Sequence, residues 1–151
     1  MPTFTKQSAR WLIYNAIASA LEGAEQLQGV AFARNPRAAK QLASGERLIV
    51  TRWGSDSPID LKGSIERRRF RLIVGSISRK RENADQDADA LHQAATEIVR
   101  KTLPTLTAIG GIDRIGAIRE SDTTPDLEGS EVDGALVLSS WEFDYQQRLA
   151  D

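Results

Sequence analysis

Seven cationic side chains flank a β-rich centre in RRRFRLIVGSISRKR, residues 67–81. Guanidinium and ammonium groups bind phosphates and carboxylates, so this stretch could serve a nucleic acid or a protein partner. A strand rises about 3.3 Å per residue, which places the two cationic clusters about 30 to 40 Å apart if the strand is continuous. The spacing therefore predicts a core strand with charged ends rather than one compact basic patch.

A nucleic-acid-binding module is the alternative interpretation of these cations. The chain balances 20 Lys and Arg against 21 Asp and Glu, so no global basic field attracts nucleic acid. A base-stacking surface needs interleaved aromatic residues, but Phe70 alternates with the apolar face. We therefore expect protein contacts to be the more important role of this strand.

The residues of known catalytic sites do not come together in this sequence. His92 is the one histidine, and neither His-Glu-x-x-His nor Gly-x-Ser-x-Gly occurs. His92 follows Ala88 by one helical turn at the edge of an apolar stripe, which indicates a structural histidine. The chain has no cysteine, so thiolate catalysis and disulfides are excluded. We expect no enzymatic activity and no cofactor.

Two groups of acids raise the question of a metal site. The first group, Asp85, Asp87 and Asp89, resembles the start of a calcium loop. Ala90 stands where the turn glycine belongs and Thr96 where the bidentate acid belongs, so these acids better suit the positive end of a helix dipole. The second group, Asp126 and Glu128, has the composition of a polar turn. No metal site is predicted.

The hydrophobic periodicity predicts two main helices, one from Thr5 to about Glu25 and one that begins at Asn83 and ends at Pro104. Asn83 and Gln86 have the spacing of a capping box. A short helix is predicted within 36–46, and strands are predicted at 27–36, 47–53, 67–78, 112–121 and 135–147. This order indicates a single α+β domain over residues 1–151, with a mostly antiparallel sheet and both main helices on one face.

Alternation along two of the predicted strands identifies the core face of the sheet. The apolar sets are Phe70, Leu72 and Val74 in one strand, and Trp141, Phe143 and Tyr145 in the other. Between the strands that precede this core, GSDSPIDLKGS (54–64) has loop composition but is longer than a tight turn. It predicts a projecting loop or a β-hairpin arm at about 54–65.

The first helix carries charged and polar residues throughout its apolar part. This composition excludes a signal peptide and a membrane span of about 20 apolar residues. We expect no membrane partner, and we expect the chain to stay where it is made.

Three linked pieces of the sequence resemble the tail-terminator (tail-completion, minor tail protein U-like) proteins of long-tailed bacteriophages. The first is the amphipathic helix that leads into two strands. The second is RRRFRLIVGSIS running into the helix DQDADALHQAATEIVRKTL, and the third is the late pair IGAIRES and DGALVLSSWEFDYQQ. Together these pieces cover most of residues 5–147.

The resemblance implies a structural virion protein that is made in the host cytoplasm and located in the tail. Its partners would be further copies of the chain in a homohexameric ring, the tail tube protein and the head-tail connector. The ring would form in solution or only on the tail tube. The ring would stop tube polymerisation, and DNA would pass through its lumen without being read. A head-tail connector or neck protein of similar fold, or a small nucleic-acid-binding module using residues 67–81, are the alternatives.

Ring assembly by head-to-tail contacts requires two different complementary patches on each subunit. Position and charge, rather than a family motif, select the candidate subunit and tube interface. Its residues are Asp56, Asp60, Lys62, Arg67, Arg68, Arg69, Arg71, Arg79, Lys80 and Arg81.

Overall fold

The computed structural model describes residues 7–34, 45–109, 112–126 and 134–149. The helices are α1 (Ala9–Glu22) and α2 (Ala84–Thr102), and short 3-10 helices follow them at Glu25–Leu27 and Leu103–Ala108. The strands are β1 (Ala31–Ala33), β2 (Arg47–Lys62), β3 (Ile65–Ser78), β4 (Ile112–Asp126) and β5 (Ala135–Arg148).

The described strands form one sheet in the order β1-β2-β3-β5-β4. β1 is parallel to β2, and every other neighbouring pair is antiparallel. Helix α2 packs on β3 and β5, while α1 packs on α2 and β2. The predicted α+β fold with a mostly antiparallel sheet is therefore confirmed.

The core lies between the helices and the alternating face of β3 and β5. Phe70 and Phe143 are fully buried, and their ring centroids are 5.3 Å apart across the two strands. The other residues predicted on this face, Leu72, Val74, Trp141 and Tyr145, are buried as well. Ile13 and Ile17 of α1 and Val99 of α2 close the cluster from the helical side. Burying each such large side chain contributes about 1.5 to 3 kcal/mol.

Helix α1 ends at Glu22 and is shorter than the predicted Thr5 to about Glu25, whereas α2 begins directly after the predicted Asn83. The hydroxyl of Ser8 caps α1 by accepting a hydrogen bond from the Trp11 N–H, so the helix begins four residues after Thr5. Asn83 adopts left-handed backbone angles (φ 57°) and its side chain makes no capping hydrogen bond. The predicted capping box is wrong because a side-chain cap requires an extended N-cap residue. The predicted stop before Pro104 holds, since α2 ends at Thr102.

Residues 54–62 belong to strand β2, so the structure has the β-hairpin arm rather than the loop. Strand β2 continues to Lys62, and Gly63 makes the tight turn with a φ of 63°. The predicted end of this strand at Trp53 is wrong. After Thr51 every residue of β2 is exposed or half-buried, and Pro58 and register shifts interrupt the strand. Strand β1 pairs with β2 at Leu48–Val50, so the outer half of β2 lies at an edge of the described sheet. Edge strands tolerate proline and bulges, which explains why this half has the composition of a loop.

Two further boundaries differ from the sequence predictions. β4 continues five residues beyond the predicted 112–121, and its last residue, Asp126, pairs with Leu136. Asp126 therefore lies in a strand rather than in a turn. Of the strand predicted at 27–36, residues 27–34 are described and contain strand at Ala31–Ala33, whereas 35 and 36 lie outside the described residues. Glu128 and most of the helix predicted within 36–46 lie outside the described residues.

Candidate interaction surface

The residues predicted to form an interface fall into three places in the structure. One group lies inside the arm, which we define as residues 54–65. A second group lies on the open face, which is the side of the sheet opposite the helices. The third lies beside the start of α2.

Asp56 is the centre of a polar network that we call the arm brace, formed with Glu66, Arg68, Tyr145 and Gln147. The Asp56 carboxylate accepts hydrogen bonds from the Tyr145 hydroxyl (3.0 and 3.1 Å) and from Arg68 Nε (3.1 Å). Glu66 accepts from Arg68 Nη1 (3.0 Å) and from the Gln147 amide (2.8 Å). The side chains of Asp56 and Arg68 are only 9% and 18% exposed. Both are therefore structural parts of the arm.

Hydrogen bonds, charges and burial in the arm brace keep Glu66 ionised and Tyr145 protonated. The hydrogen bond from Gln147 lowers the pKa of Glu66 below its ordinary value, with Arg68 adding to the effect. Burial, followed by the charge of Asp56, raises the pKa of Tyr145 above its ordinary value. The phenol therefore stays protonated and donates its hydrogen bond to Asp56. Arg10 of α1 also approaches Asp56, at 3.5 Å.

Contacts across neighbouring strands bind Arg69, Arg71 and Arg119 on the open face. Arg69 Nε lies 2.9 Å from Asp144 and 3.7 Å from Glu142, both on the neighbouring strand β5. Glu142 also pairs with Arg119 of β4, whose hydrogen bond lowers the pKa of Glu142. Arg71 donates to the hydroxyl of Ser140 at 2.9 Å. The partners of Arg69 and Arg71 are thus in the same sheet, not in the acidic start of α2.

A cleft of about 160 Å³ opens on the same face. We call it the cleft and define it by its lining residues, Arg67, Arg114, Gly116, Asp144 and Gln146. Arg67 pairs with Asp60 of the arm at 3.0 Å, and both side chains remain more than 40% exposed. The sequence predictions included Arg67 but missed Arg114, because nothing local marks which residues of β4 lie beside β5.

The start of α2 binds the cations that precede it. Asp87 accepts two hydrogen bonds from Arg47 (2.9 and 2.8 Å) and one from the Ser78 hydroxyl (2.6 Å), and Lys80 lies 3.3 Å away. Burial opposes ionisation, but the bonds from Ser78 and Arg47 hold the pKa of Asp87 below its ordinary value. Lys80 thus meets the acidic helix start.

Lys62, Arg79 and Arg81 complete the predicted set. Lys62 is exposed at the tip of the arm, next to Gly63. The backbone of Arg79 bonds with that of residues 45 and 46, and the side chain of Arg81 is exposed. Over the residues that the structure describes, no group of His, Asp and Glu could hold a metal ion, and no helix could span a membrane.

His92 sits in a buried hydroxyl network and is 3% exposed. Its Nδ1 lies 2.9 Å from the Ser76 hydroxyl and its Nε2 lies 2.9 Å from the Ser139 hydroxyl. Trp141 Nε1 donates to Ser139 at 3.2 Å, and burial lowers the pKa of His92. These contacts fix α2 on strands β3 and β5. Ser76 and Ser139 occupy inward positions of their strands, which is the sequence signal that could have revealed the network.

No protein-family model matches this chain, and no curated protein shows a significant match to it.

Proposed function

We propose that this chain is a structural assembly protein of the phage tail-terminator kind. It forms a homohexameric ring on the end of the tail tube, stops tube polymerisation and presents a surface to the head-tail connector. DNA passes through the lumen without being read. The resemblance of the sequence and the observed α+β fold support this proposal.

The braced arm is the observation that carries the proposal. The outer half of β2 pairs with β3 and forms an edge of the described sheet beyond the β1 pairing at Leu48–Val50. The arm brace ties this hairpin to β5 through the bonds of Asp56, which holds it in place. Near the hairpin turn Leu61 and Leu149 are 58% and 37% exposed. A braced sheet edge with exposed apolar side chains at its end suits contact with a neighbouring subunit or a tube subunit.

The two sides of the sheet present different surfaces. Helices α1 and α2 cover one side, whereas charged side chains such as Arg69 and Arg119 are about half exposed on the other. A head-to-tail ring joins two unlike surfaces of the same chain, and these two sides are such a pair.

The nucleic-acid alternative gains less support from the structure. Arg68 is mostly buried in the arm brace, and Arg69 and Arg71 are bound to residues of β5. Phosphate binding would have to compete with those contacts. Titration with duplex and single-stranded DNA at about 50 mM salt tests it, because phosphate contacts are strongest at low salt.

Electron microscopy of concentrated protein, alone and mixed with tail tubes, tests the proposed function. We expect six-fold rings or capped tubes from the wild-type chain. Leu61→Asp should abolish them by placing a charge at the apolar tip, whereas the matched control Ser57→Asp, also exposed on the arm, should not. Circular dichroism shows whether both variants keep the fold.

The absence of rings and capped tubes under every condition would contradict the proposal. A neck protein of similar fold would give a different result, since it would bind the head-side connector and leave tube growth unaffected.

A further inference from the structure

The two arginines of the cleft flank a glutamine across three neighbouring strands. Arg67 of β3 and Arg114 of β4 are both register partners of Gln146 in β5. Adjacent strands are about 4.8 Å apart, so the backbones of the two arginines are about 10 Å apart. Gly116, the register partner of Asp144, contributes no side chain and leaves space beside Arg114.

The cations of the cleft have unused hydrogen-bonding capacity. Arg114 is exposed and forms no ion pair within the described ranges. The Nε of Arg67 is buried and has no hydrogen-bond partner there. Asp144, the acid in the cleft, is already bound to Arg69. A guanidinium offers five N–H donors in a planar fork that matches a carboxylate, so the cleft can accept one.

We propose that the cleft binds carboxylates of a second copy of this chain, supplied by Asp85 and Asp89 of α2. This contact rests on the proposed ring and identifies which surfaces of neighbouring subunits meet.

Asp85 and Asp89 have the placement that this contact needs. They are exposed one helical turn apart, with side chains about 6 Å from each other, whereas Asp87 points inward to Arg47. Neither Asp85 nor Asp89 forms an ion pair with the described part of the chain. Helix α2 lies on the opposite side of the sheet from the cleft. One molecule therefore cannot close this contact on itself, but successive copies can, head to tail.

The surroundings of the cleft favour a protein carboxylate over DNA. Asp144 lies in the cleft, and Asp60 and Glu142 lie beside it on the same face. Duplex DNA carries one negative charge about every 1.7 Å and would bring several phosphates against these acids. A pair of carboxylates on one helical turn brings only two negative charges to the arginines, so its repulsion by these acids is smaller.

Charge exchange between the two surfaces tests the contact directly. The cleft-reversed variant is Arg67→Glu with Arg114→Glu, and the helix-reversed variant is Asp85→Lys with Asp89→Lys. The controls are Arg52→Glu, exposed on the open face outside the cleft, and Glu25→Lys, exposed on the 3-10 helix Glu25–Leu27 and outside α2. Sedimentation velocity and electron microscopy measure ring formation, and circular dichroism checks the fold.

We expect each reversed variant to weaken assembly about tenfold or more, with the controls unchanged. All four substitutions in one chain should restore rings, and so should an equal mixture of the two reversed variants, which can alternate around an even-numbered ring. If a reversed variant fails to fold, the neutral changes Arg67→Gln with Arg114→Gln and Asp85→Asn with Asp89→Asn replace it and should weaken assembly less.

Three results would overturn the contact. Rings that persist in both reversed variants, or that are not restored by charge exchange, would contradict the cleft contact and leave the ring itself standing. DNA binding that the cleft reversal abolishes, without any effect of the helix reversal on assembly, would assign the cleft to phosphate. A wild-type chain that never forms rings, even on tubes, would contradict the proposed function as well.

Discussion

Replacement of Asp56 by alanine is the sharpest test of the arm brace. The change removes the acceptor that Tyr145 and Arg68 share, while Arg68 keeps its bond to Glu66. The Tyr145 side chain is 1% exposed, so its hydroxyl cannot exchange the lost bond for water. Asp60 offers a matched control four residues away on the same strand, because its ion pair with Arg67 is exposed.

Asp56→Ala should destabilise the protein clearly more than Asp60→Ala. A hydrogen bond to a charged group contributes about 1.5 to 3 kcal/mol, and an unsatisfied buried donor adds to the loss. We therefore expect Asp56→Ala to lower the free energy of unfolding by about 2 to 3 kcal/mol, or Tm by about 5 to 10 °C for a chain of this size. Exposed ion pairs contribute about 0 to 1 kcal/mol, so Asp60→Ala should lower Tm by less than about 3 °C.

Thermal and urea unfolding, followed by circular dichroism, measure the stability of both variants. Hydrogen exchange measures the protection of the backbone amides in the arm separately. Protection should fall first at residues 54–65 in Asp56→Ala. Equal effects of the two substitutions, or unchanged exchange in the arm, would refute the reasoning that Asp56 holds the arm rigid.

Three further predictions concern the helix layer and the sheet. Because burial lowers the pKa of His92, the unfolded chain binds the proton more readily, so stability should fall as the pH drops below about 6.5. The variant His92→Gln should flatten that part of a Tm-against-pH profile. The pKa of Asp87 is lowered in the folded chain, so the stability that Asp87 contributes is present above its pKa in the unfolded chain, near 4, and is lost as the pH falls further. Acid titration of Asp87→Asn should therefore show a smaller loss of stability than wild type in that range. A Cβ at Gly75 would lie 2.8 Å from Leu138 Cδ2, and urea unfolding should show Gly75→Val about 1 to 3 kcal/mol less stable than wild type.

The buried part of the fold could be predicted because its physical signal is local. Phe70 and Leu72 alternate with arginines, so the inward face of β3 follows from the period of a strand. The aromatic alternation of β5 gave the same information for its partner strand. The outer half of β2 lacks this signal because no hydrophobic face is buried there, so Gly54 and Pro58 suggested a loop.

The partners of the charged residues could not be predicted, because they depend on the register between distant strands. Arg69 and Asp144 are 75 residues apart, and Asp56 and Tyr145 are 89 residues apart. The charge pattern showed which residues were cationic. Only the pairing of β3 with β5 shows that Arg69 is bound within the sheet, whereas Arg114 of β4 forms no ion pair with the described residues.

Growth of the cognate tail tube in the presence of this protein tests the central claim most directly. Electron microscopy should show six-fold density on one end of each tube, and tubes should stop lengthening once the protein is added. Tubes that grow at an unchanged rate, with both ends bare, would contradict the account.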